Sequence, residues 1–136
     1  MMLRYMLDTN LCIRVLRDRP QAVGERFNAE ADGLSISTIV LTELLHGAVK
    51  SARPAENRRA VERFAARLEV LAFDAEAAAH AGDIRATLER EGRSIGSYDV
   101  LIAGHARSRG LIVVTGNLGE FMRVDGLRCE DWLPAN

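Results

Sequence analysis

"LIVVTGN" occupies residues 111–117: an unbroken apolar, largely β-branched run that ends on threonine, glycine and asparagine. Such a run does not alternate between apolar and polar, so both faces of the strand it forms must be covered, as in a parallel sheet packed between helices. A second run of the same kind, "YMLDTN" (5–10), stops on a charge. Two readings of Asp8 are open. It can cap the helix that begins in "NLCIRVLR" (10–17), where Leu11, Val15 and Leu16 have helical spacing. It can also stand at the carboxyl end of a strand, where α/β sheets hold ligands and metals.

Further elements follow on either side. Pro20 suits the first turn of a helix running to about Asn28. "GLSIS" (33–37) reads as a strand, and Ser37 as the cap of a long helix, "TIVLTELLHGAVK" (38–50). Pro54 opens another helix, "AENRRAVERFAARLE" (55–69), leading into a strand-like "VLAF" (70–73). Asp74 caps "AEAAAHAGDIRATLERE" (75–91), which Gly92 stops. "YDVLIAGHARSR" (98–109) is the next helix, closed by Gly110. "FMRV" (121–124) and "LRCEDW" (127–132) finish the chain, the latter as an edge strand, with Trp132 as its packing anchor. Strands separated by helices predict one α/β domain over residues 1–136, with a mainly parallel central sheet and helices on both faces.

The 136 residues are 48% apolar and 27% charged, which excludes a disordered chain and predicts one real core. No apolar run approaches the roughly 20 residues of a membrane span. No leader pattern suggests export, and Cys12 and Cys129 lack metal-binding or disulfide spacing. A cytoplasmic protein with reduced thiols is expected. The net charge of −1 does not advertise nucleic-acid binding, although 17 of the 18 basic residues are arginine. Arg59, Arg63 and Arg67 share one helical face. With Glu56 one turn before them, a solvated, salt-bridged face is the expectation, against an RNA or partner surface. His46, His80 and His105 are scattered singly and predict no metal site. No phosphate-binding glycine loop is present.

Asp8, Glu43, Asp99 and Asn117 stand out by position. Each has a plain alternative: a cap for Asp8, a turn for Asn117, a helix-dipole partner for Asp99. Asp99 shares its stripe with Ile102, Ala103 and Ala106, so it is expected to point inward. Glu43 shares a stripe with Thr42, His46 and Lys50, and its i+4 neighbour is Gly47. Solvent and the mouth of a cleft are equally compatible with that pattern. Facing carboxylates repel unless a cation joins them, and hard oxygen donors without His or Cys select Mg²⁺ or Mn²⁺. Acids at strand ends thus suggest metal-assisted phosphodiester chemistry.

"MLDTN" (6–10), "TELLHGA" (42–48), "GRSIGSYDVLIAGHARSRGL" (92–111), "VVTGNLGEF" (113–121) and "GLRCEDW" (126–132) occur in that order from Met6 to Trp132. Together they resemble PIN-domain ribonucleases, specifically the VapC toxins of bacterial type II toxin–antitoxin modules. The nearest look is to the enteric members that cut initiator tRNA in its anticodon stem-loop. The resemblance implies a PIN-like three-layer α/β/α fold and an Mg²⁺- or Mn²⁺-dependent endoribonuclease that inhibits translation. By it, Asp8 and Asp99 match the metal-binding aspartates and Glu43 the helical glutamate of the metal site. Asn117 falls at the fourth polar position, Thr9 and Asn10 support the loop of Asp8, and Thr115 matches the threonine of its strand end. It further implies a VapB-type antitoxin that blocks the site, operator DNA bound only through that complex, a homodimer and no membrane partner. Ser97 replaces a frequent proline, and Gly116 a frequent asparagine.

Two other classes compete. A degenerate, non-catalytic PIN-like binding domain is disfavoured because all four site positions carry plausible ligands. A phospho-receiver module also places acids at strand ends but needs a late lysine, and no lysine follows Lys50.

Overall fold

The computed structural model describes residues 2–133. Its strands are β1 (Tyr5–Leu7), β2 (Leu34–Ser37), β3 (Glu69–Leu71), β4 (Ile112–Val114) and β5 (Cys129–Glu130). Between them run α1 (Thr9–Asp18), α2 (Gln21–Ala29), α3 (Thr38–Val49), α4 (Pro54–Ala65), α5 (Ala75–Arg90), α6 (Ser97–Arg109) and α7 (Leu118–Phe121). A short 3₁₀ turn, Ala31–Gly33, precedes β2.

All strand pairs are parallel, in the order β3-β2-β1-β4-β5. Every residue of β1, β2 and β4 is buried. Successive strand side chains point to opposite faces, so helices must cover both, which makes the domain an α/β/α sandwich. The chain works outward from β1 through β2 to β3, then returns to the other side of β1 for β4 and β5. The order therefore reverses between β1 and β4, and the carboxyl ends of those two strands border the crevice where open sheets bind ligands.

Capping residues start the helices where the sequence places them. Asp8 Oδ1 accepts from the Leu11 N–H at 2.9 Å, Ser37 Oγ from Ile39 at 3.1 Å and Asp74 Oδ1 from Ala77 at 3.0 Å. Gly110 ends α6 at φ 66°, a left-handed conformation that glycine adopts without strain.

Some boundaries shift. Pro20 immediately precedes α2 rather than lying in its first turn. Leu111 stays out of β4 because its N–H closes α6 on the Ala106 carbonyl at 2.9 Å. β3 stops at Leu71, since the Phe73 N–H goes to the Thr38 hydroxyl at 3.1 Å and not to a strand. In "FMRV", Phe121 ends α7 and the rest forms a turn. The basic face of α4 also differs from expectation. Glu56 pairs with Arg53, and Arg58 with Glu62. Arg59, Arg63 and Arg67 make no ion pair among the described residues.

Trp132 is the anchor its position suggested. Its ring meets Tyr5 edge-on at 4.9 Å and carries the Arg26 guanidinium over its face at 4.4 Å. His105 is buried edge-on against Phe73, and neither ring nitrogen has a partner among the described residues. Burial pushes its pKa down, which keeps the ring neutral.

The tightest helix contact is between α5 and α6. A methyl group at Gly104 would lie 2.5 Å from Ala81 N and 2.6 Å from Ala81 Cα. Backbone cannot yield as a side-chain tip can, so Gly104→Ala should cost about 2–3 kcal/mol or more, lowering the melting temperature by roughly 5–15 °C. Gly82, on α5, has no atom within 4 Å of such a methyl, so Gly82→Ala should raise stability by about 0.5–1 kcal/mol. Thermal melting of the two variants checks both expectations.

Candidate active site

Asp8 is both the cap of α1 and the carboxylate at the end of a strand. The residue is 2% exposed and ends β1. One carboxylate oxygen caps α1, and the other accepts from Thr115 Oγ1 at 2.5 Å, across the sheet at the end of β4. The Asp8 N–H donates to the Val114 carbonyl at 3.1 Å, which fixes the backbone beneath that contact. Thr115 Oγ1 also accepts from the Asn117 N–H at 2.8 Å, so a single hydroxyl orders the β1 carboxylate and the loop after β4.

Glu43, half-buried on α3, accepts from Thr9 Oγ1 at 2.5 Å. The space beside Gly47 is open, as a methyl there would meet nothing within 4 Å. Glu43 thus stands at a cleft mouth and not on a solvated face. Thr9 is buried in its supporting position, whereas Asn10 is exposed on the first turn of α1 and makes no side-chain hydrogen bond among the described residues. Asp99 points inward from the first turn of α6 while Ile102, Ala103 and Ala106 lie fully buried on the same stripe.

Asn117 stands one hydrogen bond behind the acids: its side-chain amide donates to Glu120 Oε2. Glu120, on α7, lies close enough to Asp99 to raise its pKa. Reading the sequence for acids at strand ends passed over Glu120, which sits on a four-residue helix too short to show periodicity. Its spacing of three residues from Asn117 was the available signal, since i and i+3 side chains meet on a helical turn.

Burial and neighbouring carboxylates raise the proton affinity of Asp8 and Asp99. Burial pushes Asp8 up, against the lowering hydrogen bonds from Thr115 and Leu11, and the Glu43 and Asp131 charges add to the rise. Asp99 is pushed up to about 7, first by burial, then by its hydrogen bond and charge contact with Glu120, then by Asp8 and Glu43. Among the described residues no Lys, Arg or His forms an ion pair with Asp8, Glu43, Asp99 or Glu120. Cys12 lies nearby, but burial and the Asp8 charge push its thiol well up, so it stays protonated. The site is therefore an uncompensated, all-oxygen cluster. Its donor chemistry fits a hard divalent cation, although among the described residues no three acid, His or Cys groups converge as a ready-made cage. Mg²⁺ does not require one, since it keeps several waters and uses one or two carboxylates.

The PIN domain family model matches residues 5–127. The tRNA(fMet)-specific endonuclease VapC of Shigella flexneri is 53% identical over 131 residues, covering 96% of this chain and 99% of the relative. The crystal structure of DNA-bound VapBC from Salmonella typhimurium superposes with a TM-score of 0.95 at 53% identity, covering 97% of this chain and 100% of the other. VapBC2 from Rickettsia felis, bound to a DNA fragment from its promoter, gives a TM-score of 0.92 at 36% identity over 98% of this chain and all of the other. With full-length likeness in sequence and in fold, and with acids gathered where β1 and β4 end, the chain belongs to the VapC family of PIN-domain ribonucleases.

Proposed function

We propose that this protein is the toxin of a VapBC-type module, a metal-dependent endoribonuclease whose substrate is tRNA, with the initiator tRNA named for its Shigella relative the first candidate. The observation that carries the reading is the coupled set Asp8, Glu43, Asp99 and Glu120 at the switch point of the sheet. Asp8, Asp99 and Glu43 would hold Mg²⁺ or Mn²⁺. When bound, that cation supplies charge neutralisation at the scissile phosphate and a more acidic attacking water. Asp8 cannot swing away, because both its oxygens are already engaged. Thr9 orients Glu43 in the same manner, and Asn117 orients Glu120.

A VapB-type antitoxin is the proposed partner. An apolar groove of about 520 Å³, lined by Ile13, Leu16, Leu44, Ala60 and Val61, opens onto Glu43 and supports a chain segment that covers the site. Operator DNA would be bound through that complex, as DNA-bound VapBC relatives suggest, and pairing into a homodimer is part of the same proposal. Among the described residues no helix is long and apolar enough to cross a membrane. A cytoplasmic site of action, where tRNA is found, completes the reading.

Three outcomes are expected. The protein freed of partners cleaves initiator tRNA with Mg²⁺ or Mn²⁺ and stops in excess chelator; undiminished cleavage in chelator would sink the metal mechanism. Asp8→Asn lowers the rate by about 100-fold or more while the fold persists, because asparagine caps a helix about as well as aspartate. Expression alone arrests bacterial growth, and co-expression of the antitoxin restores it.

A fourth outcome concerns pH. The folded pKa of Asp99 lies above the 3.8 of an ordinary aspartate, so the native state holds more protons than the unfolded chain between the two values. The stability from its protonated form is complete below about pH 4 and is lost as pH rises through about 7. Without divalent cations, Asp99→Asn should melt higher than the parent at pH 8, with the gap narrowing as pH falls below about 7 and closing near pH 4. Added Mg²⁺ should stabilise the parent more than the variant. Melting curves across pH, with and without Mg²⁺, test this.

A further inference from the structure

Of the seven aromatic side chains, Tyr5, Phe27, Phe64, Phe121 and Trp132 are buried and Phe73 is half-buried. Tyr98 alone is exposed, at 53%, and it directly precedes Asp99 in the first turn of α6. Consecutive Cα atoms are about 3.8 Å apart, so the backbone of Tyr98 stands beside that of Asp99, and the side chain leaves the same helical turn on a more exposed face. Glu120 lies near Asp99, and two residues past Glu120 a second apolar side chain, Met122, stands 70% exposed. The wall that carries both is braced. Arg123 Nη1 donates to the Ser94 carbonyl at 3.0 Å and to the Arg93 carbonyl at 3.4 Å, tying the exit of α7 to the loop that enters α6. On this braced wall the exposed ring is free to contact a bound partner.

The chemistry of the cluster says which contact. Four carboxylates without basic partners repel a phosphodiester backbone, so a substrate must gain affinity beside them by something other than charge. Stacking of a nucleobase on an aromatic ring is such an interaction, and loop nucleotides of RNA offer unstacked bases for it. We propose that Tyr98 stacks one unpaired base of the RNA next to the phosphodiester at the acid cluster and so selects single-stranded loop nucleotides. This rests on the ribonuclease reading above.

The test is steady-state cleavage of an initiator-tRNA anticodon stem-loop oligoribonucleotide, and of a series in which each loop nucleotide in turn is replaced by abasic ribose. Tyr98→Ala should raise KM about tenfold, the scale of one lost base–aromatic stack, with kcat and melting temperature little moved. Tyr98→Phe, which keeps the ring, should restore the parent KM. The alanine penalty should vanish on one abasic substrate and persist on the others, as a pairwise contact requires. An unchanged KM in Tyr98→Ala, or an equal penalty on every abasic substrate, overturns the stacking role while parental cleavage keeps the ribonuclease reading. An unchanged KM with weakened self-association or antitoxin binding also overturns it and assigns the ring to a protein interface. If the parent protein itself cleaves none of these RNAs, the ribonuclease reading fails first.

Discussion

A hydrogen bond from a threonine on one strand to an aspartate on its neighbour holds this structure's working end together. Asp8 is buried at the end of β1, and a buried carboxylate must be satisfied or it shifts towards its neutral form. Its two oxygens receive the N–H of Leu11 and the hydroxyl of Thr115. One side chain thereby joins β1, the start of α1 and the end of β4, on the two sides of the place where strand order reverses. The same threonine orders Asn117, which holds Glu120, which meets Asp99. Removing the Asp8–Thr115 contact would loosen both halves of the sheet and the loop that carries the fourth acid.

The arrangement is costly for the protein alone. Burial and mutual repulsion raise the proton affinity of Asp8 and Asp99, and no basic side chain among the described residues relieves them. Functional sites often retain such unfavourable electrostatics because the ligand relieves them. Arginines are abundant but are spent elsewhere. Arg107 bridges His80 at 2.9 Å, Asp83 at 2.8 Å and the Asp125 carbonyl at 3.0 Å, joining α5, α6 and the loop before β5.

The far edge of the sheet depends on a different clamp. β5 has only two residues, too few to hold by pairing alone. Trp132 is buried beyond it against Tyr5 and Phe27, its indole N–H donates to Glu130 at 2.9 Å, and Arg26 reaches both residues from α2. The anchored segment covers β4, where the Thr115 N–H donates to the Glu130 carbonyl at 2.9 Å. A methyl in place of Gly116 would sit 3.3 Å from Leu133 Cδ1, a side-chain tip that a small shift moves clear.

Much was legible in the residues themselves because it is local. The β-branched run 112–114, the caps Asp8, Ser37 and Asp74, and the left-handed Gly110 all act within one or two turns of chain, so composition and spacing announce them. Asp99 was legible too, since helical period alone puts it on the stripe of Ile102 and Ala106. What lay beyond was set by contacts distant in sequence. Glu43 could not be told from a solvated residue until α3 brought it to Thr9, 34 positions away. Asn117 was separated from the acids only once α7 formed, a helix that is too short to show periodicity and that puts Glu120 against Asp99. The glycine at 104 looked like a weakness in a helix until Ala81 was found 2.5 Å from the methyl it lacks. Sequence by itself determined which segments become strands and helices, because backbone preference and apolar period are short-range. Only the tertiary structure decided which acids stand together, because that depends on distances set by packing.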